Sequence, residues 1–351
     1  MKLLKLDQLT GNEILARSVL TSDYQELLSE GTQLRMGYLS KLADLGITEV
    51  FVKDNEIEAE AKDILKKEVN QKCKEKVRDI ISRHTYNRNQ GMEEISQAAD
   101  NIITEMLEDE NIIEQVFDIK ERSADLYEHS ISTCTIATLV GLKMKLSNER
   151  VHDLSVGCLL HDLGLRYVTI DYGNTEIEQS DNSVIIEEYH KHPVYGYSAV
   201  NNENWLSKTS KEIILCHHEK ADSSGYPLHT FDLTEETKIA AVCDFFDESI
   251  CGIGYERKKV HEVVEQLKAY KGKYFDEKVV DELLDFIAVY PSGTKVITNQ
   301  GQTAIVIRQN KGFPERPVIQ LLLDQEGNSI EPTQVKDLLE NNNLFIEQVI
   351  N

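Results

Sequence analysis

The sequence has no C-x-x-C pair, no run of about 18 apolar residues and far fewer basic than acidic side chains. Each absence removes a class of function. The six cysteines, Cys73, Cys134, Cys158, Cys216, Cys243 and Cys251, are scattered singly. A chain this long does not need a disulfide framework, so they read as small buried hydrophobes in a reducing compartment. The opening residues, MKLLKLD, meet charge at once and lack the apolar core of a signal peptide. No membrane span is expected, and the expectation is a soluble, cytoplasmic protein. The 38 Lys and Arg against 61 Asp and Glu give a net charge of −23. Such a chain repels phosphate backbones at long range, which argues against DNA or RNA as a partner. No G-x-S-x-G elbow and no P-loop occurs, so neither a serine nucleophile nor a P-loop nucleotide cradle is signalled.

Apolar residues make up 40% of 351, enough for a sizeable core and two or three domains. The texture changes along the chain. Residues 1–55 carry short β-type runs at 14–20 and 49–52, a short helical stretch at 37–45, and turns at Gly31 and Gly46. This predicts a small α+β module. Residues 56–119 contain no proline and only Gly91, with Glu, Lys, Ile and Leu at helical spacing. That predicts a helical connector of long helices with a break near 86–91 and a solvated charged face. Residues 120–290 hold nine of the ten histidines on a helical pattern, with helices expected at 129–146, 148–163, 210–218, 237–250 and 275–289. Residues 291–351 switch to alternation at 295–298, 303–309 and 318–323, punctuated by glycine. A small β-rich domain is expected there, with a short helix at 334–340.

The chemistry is sought where the histidines are. Asp125 precedes His129 by four residues, a spacing that puts a carboxylate and an imidazole on one helix face. His161-Asp162 ends an apolar helix, with Gly164 as a C-terminal stop. His192 precedes Pro193, which favours an extended residue at a helix start. His217-His218 and then Asp244 with Asp247 follow on two further helical stretches. Adjacent helical residues point about 100° apart, so His217 and His218 suit a wide pocket holding two ions. The Asp162 carboxylate has two oxygens with which to bridge them. A buried, unpaired His-Asp pair costs on the order of several kcal/mol, which coordination offsets. Imidazole with carboxylate suits Fe, Mn or Zn. Two cations roughly 3.5–4 Å apart activate a water and clamp an in-line displacement at phosphorus. A lone buried histidine is more often a satisfied core residue than a ligand; the recurrence on separate helices carries the metal reading. His152, His229 and His261 lack such company and read as surface or core, and His190 is the weaker candidate beside His192.

At this point the sequence resembles the HD-GYP family, a branch of the HD metal-dependent phosphohydrolases. The matching residues are His129-Ser130, His161-Asp162-Leu163-Gly164, His192-Pro193 with Gly196, His217-His218-Glu219, Gly225-Tyr226-Pro227, and Asp244 with Asp247. The likeness covers the third stretch, about half of the chain. It implies a mainly α fold: an all-helical HD-type domain flanked by a small N-terminal α+β module and a small C-terminal β-rich domain. It implies two or three divalent metal ions, Fe or Mn, and hydrolysis of cyclic di-GMP to pGpG or GMP. By the same resemblance, Asp125, His129, His161, Asp162, His192, His217, His218 and Asp244 would ligate metal, with Asp162 also catalytic. Asp247 would serve the substrate. The sequence departs from the family at Leu165, where a phosphate-facing lysine is usual, and at residues 248–257, where Ala-Leu-Thr and Arg-Pro-Tyr are usual. Arg257 and Lys258 are the candidate replacement cations. Two other readings stand beside the phosphodiesterase: a signalling scaffold or sensor that keeps the metals, and a phosphohydrolase for another nucleotide. A cyclic dinucleotide is the expected ligand, and a second copy or a signalling protein the expected partner.

Overall fold

In a computed structural model, the described residues are 2–16, 19–20, 26–29, 31–45, 47–53, 63–86, 91–109, 111–121, 125–170 and 177–350. The chain divides into two compact units, residues 1–60 and 61–351. The expected boundary at 55, the turn at Gly46 and residues 87–90 of the expected helix break lie outside the described residues.

In the first unit, β1 (Lys2–Lys5) pairs antiparallel with β4 (Glu49–Val52), and β2 (Val19–Leu20) with β3 (Glu26–Leu28). Helix α1 (Met36–Asp44) buries Leu39 and Leu42 in a core with Leu9, Leu15, Leu34 and Val52. This is the small α+β module read from the alternation.

The second unit is a helical bundle followed by a sheet. Helices α2 (Lys67–Tyr86) and α3 (Glu94–Leu107) pack on α4 (Leu126–Lys143) and α5 (Asn148–Leu160). A 3-10 helix, His161–Tyr167, continues directly from α5. Then come α6 (Ser183–Tyr189), α7 (His192–Val200), α8 (Lys208–Cys216), α9 (Glu235–Cys251), α10 (Val260–Tyr270) and α11 (Glu277–Leu284). Local chemistry sets several starts. Asp125, Ser147, Ser207 and Thr234 each accept a hydrogen bond from a backbone N–H of the first turn of α4, α5, α8 and α9. Helix α9 stops at Gly252, whose φ of 78° is the left-handed conformation of a helix C-terminus.

Gly164 does not end a helix as expected; the chain runs on as 3-10. Its role is contact. A Cβ there would overlap the His192 carbonyl oxygen and lie 2.6 Å from the Gly196 nitrogen. Two glycines thus let the 161–167 turn lie against α7, which brings Asp162 beside His192.

The C-terminal strands β5 (Lys295–Thr298), β6 (Thr303–Arg308), β7 (Val318–Leu323), β8 (Ser329–Asp337) and β9 (Ile346–Ile350) form one antiparallel sheet in the order β8-β7-β6-β5-β9. The helix expected over 334–340 is corrected: Gln334–Asp337 pair with β7, from Leu321↔Gln334 to Val318↔Asp337. Ladder hydrogen bonds to β7 override a weak local helical pattern. Asp118 ties this sheet to the bundle, accepting from the Ser292 N–H at 2.6 Å and the Gln309 amide at 2.8 Å. All six cysteines are buried and unpaired.

Candidate metal centre

Five helical segments of the bundle each deliver polar groups to one apolar interior. His129 comes from α4, His161 and Asp162 from the 3-10 turn after α5, and His192 from the start of α7. His217 and His218 follow α8 directly, and Asp244 lies on α9. All seven are buried, none more than 9% exposed. The imidazoles are not randomly oriented. His161 Nδ1 donates to the Cys158 carbonyl at 2.6 Å, His192 Nδ1 to the Tyr189 carbonyl at 2.8 Å, and His217 Nδ1 to the Ile213 carbonyl at 3.1 Å. A carbonyl oxygen only accepts, so each Nδ1 carries the proton and each Nε2 points inward with a lone pair. His129 Nδ1 donates in the same sense to Asp247 Oδ2 at 2.7 Å.

The inward nitrogens face one another. His129 Nε2 lies 3.1 Å from His161 Nε2, and His192 Nε2 lies 3.1 Å from His217 Nε2. Asp162 stands between the two pairs. Its Oδ2 is 3.5 Å from both His129 and His161, and its Oδ1 is 3.3 Å from His192 and 3.7 Å from His217. Both oxygens are buried without a hydrogen-bond partner. Asp244 Oδ1 is 3.0 Å from His129 and from His161, while its Oδ2 is 3.8 Å from His218 Nδ1. Buried carboxylate and imidazole lone pairs this close repel unless positive charge sits among them. Two bonds of about 2.0–2.2 Å to one ion leave donors about 3 Å apart at a right angle, the spacing found here.

Burial and neighbouring charges of the other sign shift the titration of these groups in opposite directions. Burial would raise Asp162, but His161, His217 and His192 outweigh it and hold the carboxyl far below its usual range. Asp244 is likewise depressed against burial, by His161 and His129. Burial disfavours charge on His129, yet Asp244 and Asp247 raise its pKa well above the ordinary value. Burial holds His192 neutral, lowering it to about 3 against the pull of Asp162. His218 is pushed well below its ordinary value by burial and by His217.

Not every expected residue arrives. Asp125 precedes α4 in an extended conformation, with φ −149° and ψ 109°, so the helical spacing to His129 does not apply. Its carboxylate caps α4 through Tyr127 and Glu128 and meets Lys74 Nζ at 2.6 Å. Asp247 is fully buried behind His129 and takes a second hydrogen bond from Ser132 Oγ at 2.5 Å. Its two oxygens are thus engaged by the His129 ring and the Ser132 hydroxyl. The Lys258 ammonium reaches Gln266 of α10 at 2.7 Å, and Arg257 lies half-buried beside the Gly252 turn. His190 hydrogen-bonds Glu178 at 2.8 Å and stacks on Tyr226 at 3.7 Å between ring centroids, outside the cluster. Leu165 is buried in an apolar group with Ile177, Tyr189, Cys251 and Ile253.

The sequence reading missed Glu248. It is 1% exposed, and its Oε1 lies 3.8 Å from His218 Nε2 and 3.4 Å from the Tyr189 hydroxyl. Burial, and then Asp244, raise its pKa well above the usual carboxyl range. The available signal was its position four residues after Asp244 on one helix.

A family profile described as "HD domain" matches residues 109–279, which enclose the whole cluster. A second, "KOW domain associated with HD domain", matches residues 295–351, the C-terminal sheet. Cyclic di-GMP phosphodiesterase PA4108 of Pseudomonas aeruginosa is 24% identical over 249 residues, 69% of this chain and 59% of that protein. The 3'3'-cGAMP-specific phosphodiesterase 2 of Vibrio cholerae is 37% identical over 110 residues, 29% of this chain and 21% of that protein. The chain therefore spans less than two thirds of either relative. The solved structure of an HDG"Y"P protein from Bdellovibrio bacteriovorus covers 80% of this chain and 97% of its own, with a TM-score of 0.52 at 15% identity, a likeness of fold. Residues 109–279 carry an HD domain, and its fold is shared with the Bdellovibrio structure. The HD domain implies divalent metal, and the donor set present here fits that requirement: four inward imidazole nitrogens around one carboxylate that has no hydrogen-bond partner. Among the described residues, no helix is long and apolar enough to cross a membrane.

Proposed function

We propose that this chain is a metal-dependent phosphodiesterase that hydrolyses cyclic di-GMP to pGpG or GMP. The observation that carries the reading is Asp162, whose two unpartnered oxygens face two separate imidazole pairs. On this reading His129, His161, Asp162 and Asp244 hold one cation, and Asp162, His192, His217 and His218 hold another; iron or manganese suits the donors. When bound, such cations supply Lewis acidity toward a phosphoryl oxygen and lower the pKa of a water. The chain's own part is orientation and charge. Cys158, Tyr189 and Ile213 carbonyls keep three imidazoles in the ligand tautomer, and Asp247 does so for His129. Leu163 and Leu165 help to keep bulk water out of the interior.

The test is full-length protein purified anaerobically, loaded with Fe(II) or Mn(II) and assayed for loss of cyclic di-GMP against a panel that includes cyclic GMP-AMP and linear phosphodiesters. Turnover of another nucleotide in preference would replace the substrate. No turnover by a fully loaded chain would favour a second reading, a signalling module that retains metals. The burial of Leu165 and the engagement of Lys258 with Gln266 support that second reading, because both leave the phosphate side poor in cations. The working division is residues 1–55, 56–119, 120–290 and 291–351, with the end modules placing the HD domain against a second copy or a signalling partner in the cytoplasm. Unchanged assembly and activity after deletion of either end module would remove that role.

A further inference from the structure

Glu248 is a buried carboxylate for which the metal reading above has no use, and Asp125 is an expected metal ligand that the fold spends elsewhere. The two observations meet. The Asp125 carboxylate is occupied by the α4 N-terminus and Lys74, so it does not enlarge the cluster. Glu248 stands one helical turn beyond Asp244 on α9, and its carboxylate lies within 4.8 Å of donor atoms of both Asp244 and His129. A second observation points to a ligand at the same place. His218 Nε2 is buried without a hydrogen-bond partner, its side chain 7% exposed, and it is aimed at Glu248 Oε1 from 3.8 Å. That gap is too long for an imidazole–carboxylate hydrogen bond. It fits two donors of one ion, which two bonds of about 2.0–2.2 Å separate by at most about 4.4 Å. Asp244 Oδ2, 3.8 Å from His218 Nδ1, faces the same side.

We propose that Glu248 is a metal ligand, holding with Asp244 and the single lone pair of His218 a further divalent cation, so that His218 serves this seat and Asp162, His192 and His217 alone hold the second cation. The proposal rests on the metal centre described above and adds a third seat whose extra carboxylate comes from α9 instead of from the start of α4. The Tyr189 hydroxyl, 3.4 Å from Glu248, then serves to aim the carboxylate. A hard, acid-rich seat of this kind favours Mn(II) or Fe(II) over softer ions.

The experiment counts metal. Full-length protein, E248Q and E248A are saturated with Mn(II), freed of excess, and analysed for Mn per chain and for competition against a chelator. Glu248→Gln keeps size and the contact with Tyr189 but removes the anionic donor. The expected result is a loss of about one equivalent of Mn per chain in both variants, with the remaining sites unchanged in affinity. Equal stoichiometry and equal affinity in wild type and E248Q overturns Glu248 alone and leaves the two-cation reading standing. A wild type that holds no Mn overturns both. Should the variants fail to fold, anomalous scattering from Mn-loaded wild-type crystals decides. A peak bonded to Glu248 supports the seat; peaks confined to Asp162 and its imidazoles overturn it.

Discussion

The two sides of the cluster are built on opposite plans. On one side, α4, α7, α8, α9 and the 161–167 turn present imidazoles and carboxylates whose outer atoms are held by carbonyls or by Asp247. On the other, where the family resemblance puts a phosphate-facing lysine, Leu165 packs with Ile177, Tyr189, Cys251 and Ile253. Four of the imidazoles, His129, His161, His192 and His217, are each fixed by a second group, and Asp162 stands among them without a hydrogen-bond partner. The Leu165 side chain, by contrast, is held by apolar packing. One side of this interior is thus lined by imidazoles and carboxylates and the other by apolar side chains.

Substitutions act differently on the two sides. Asp162→Ala removes the carboxylate that stands between the two imidazole pairs. Metal content should collapse, and any hydrolysis should fall by at least about 100-fold, read by elemental analysis and by product formation. Retention of metal by this variant would show that the two pairs do not share a bridge. Leu165→Lys asks whether the apolar side will accept the cation it lacks. A charge among those side chains costs on the order of several kcal/mol, so Tm should drop with no gain in turnover. A rise in turnover at unchanged Tm would mean that the position opens to substrate after all.

Chelation acts on the donor side alone. Stripping metal that had been present at about 100 times its Kd should remove roughly 2.7 kcal/mol of stability, seen as a lower Tm that Mn(II) restores. Asp247→Ala frees the His129 ring while leaving all proposed ligands in place. Metal affinity should weaken by roughly 10–100-fold. An effect on KM with metal binding intact would return Asp247 to the substrate side. Ser132→Ala deletes the hydrogen bond to Asp247 Oδ1, and a cost of about 1 kcal/mol in stability is expected, with metal content preserved.

Much of the donor side was legible before any fold was known. His-Asp, His-Pro and His-His on apolar helical stretches are rare enough together to signal coordination, and His192 rather than His190 proved to be the one beside Asp162. Asp125 misled because spacing was counted as if the helix had already begun; it is the cap, one residue outside. Glu248 went unnoticed because a glutamate on a charged-looking segment does not announce its burial. The strand at 329–337 was read partly as helix because pairing with β7 is a non-local interaction that no short window contains.

The sequence by itself determined the helical period of the bundle, the alternation of the final sheet and the identity of the inward donors, since these depend on side-chain type and local spacing. Only the tertiary structure decided which nitrogen of each imidazole faces in, that Asp162 stands between two pairs, and that Leu165 and Glu248 are buried. Those facts arise from helices distant in the chain meeting across a water-excluding interior, where the cost of an unpartnered charge is set by neighbours that local sequence does not name.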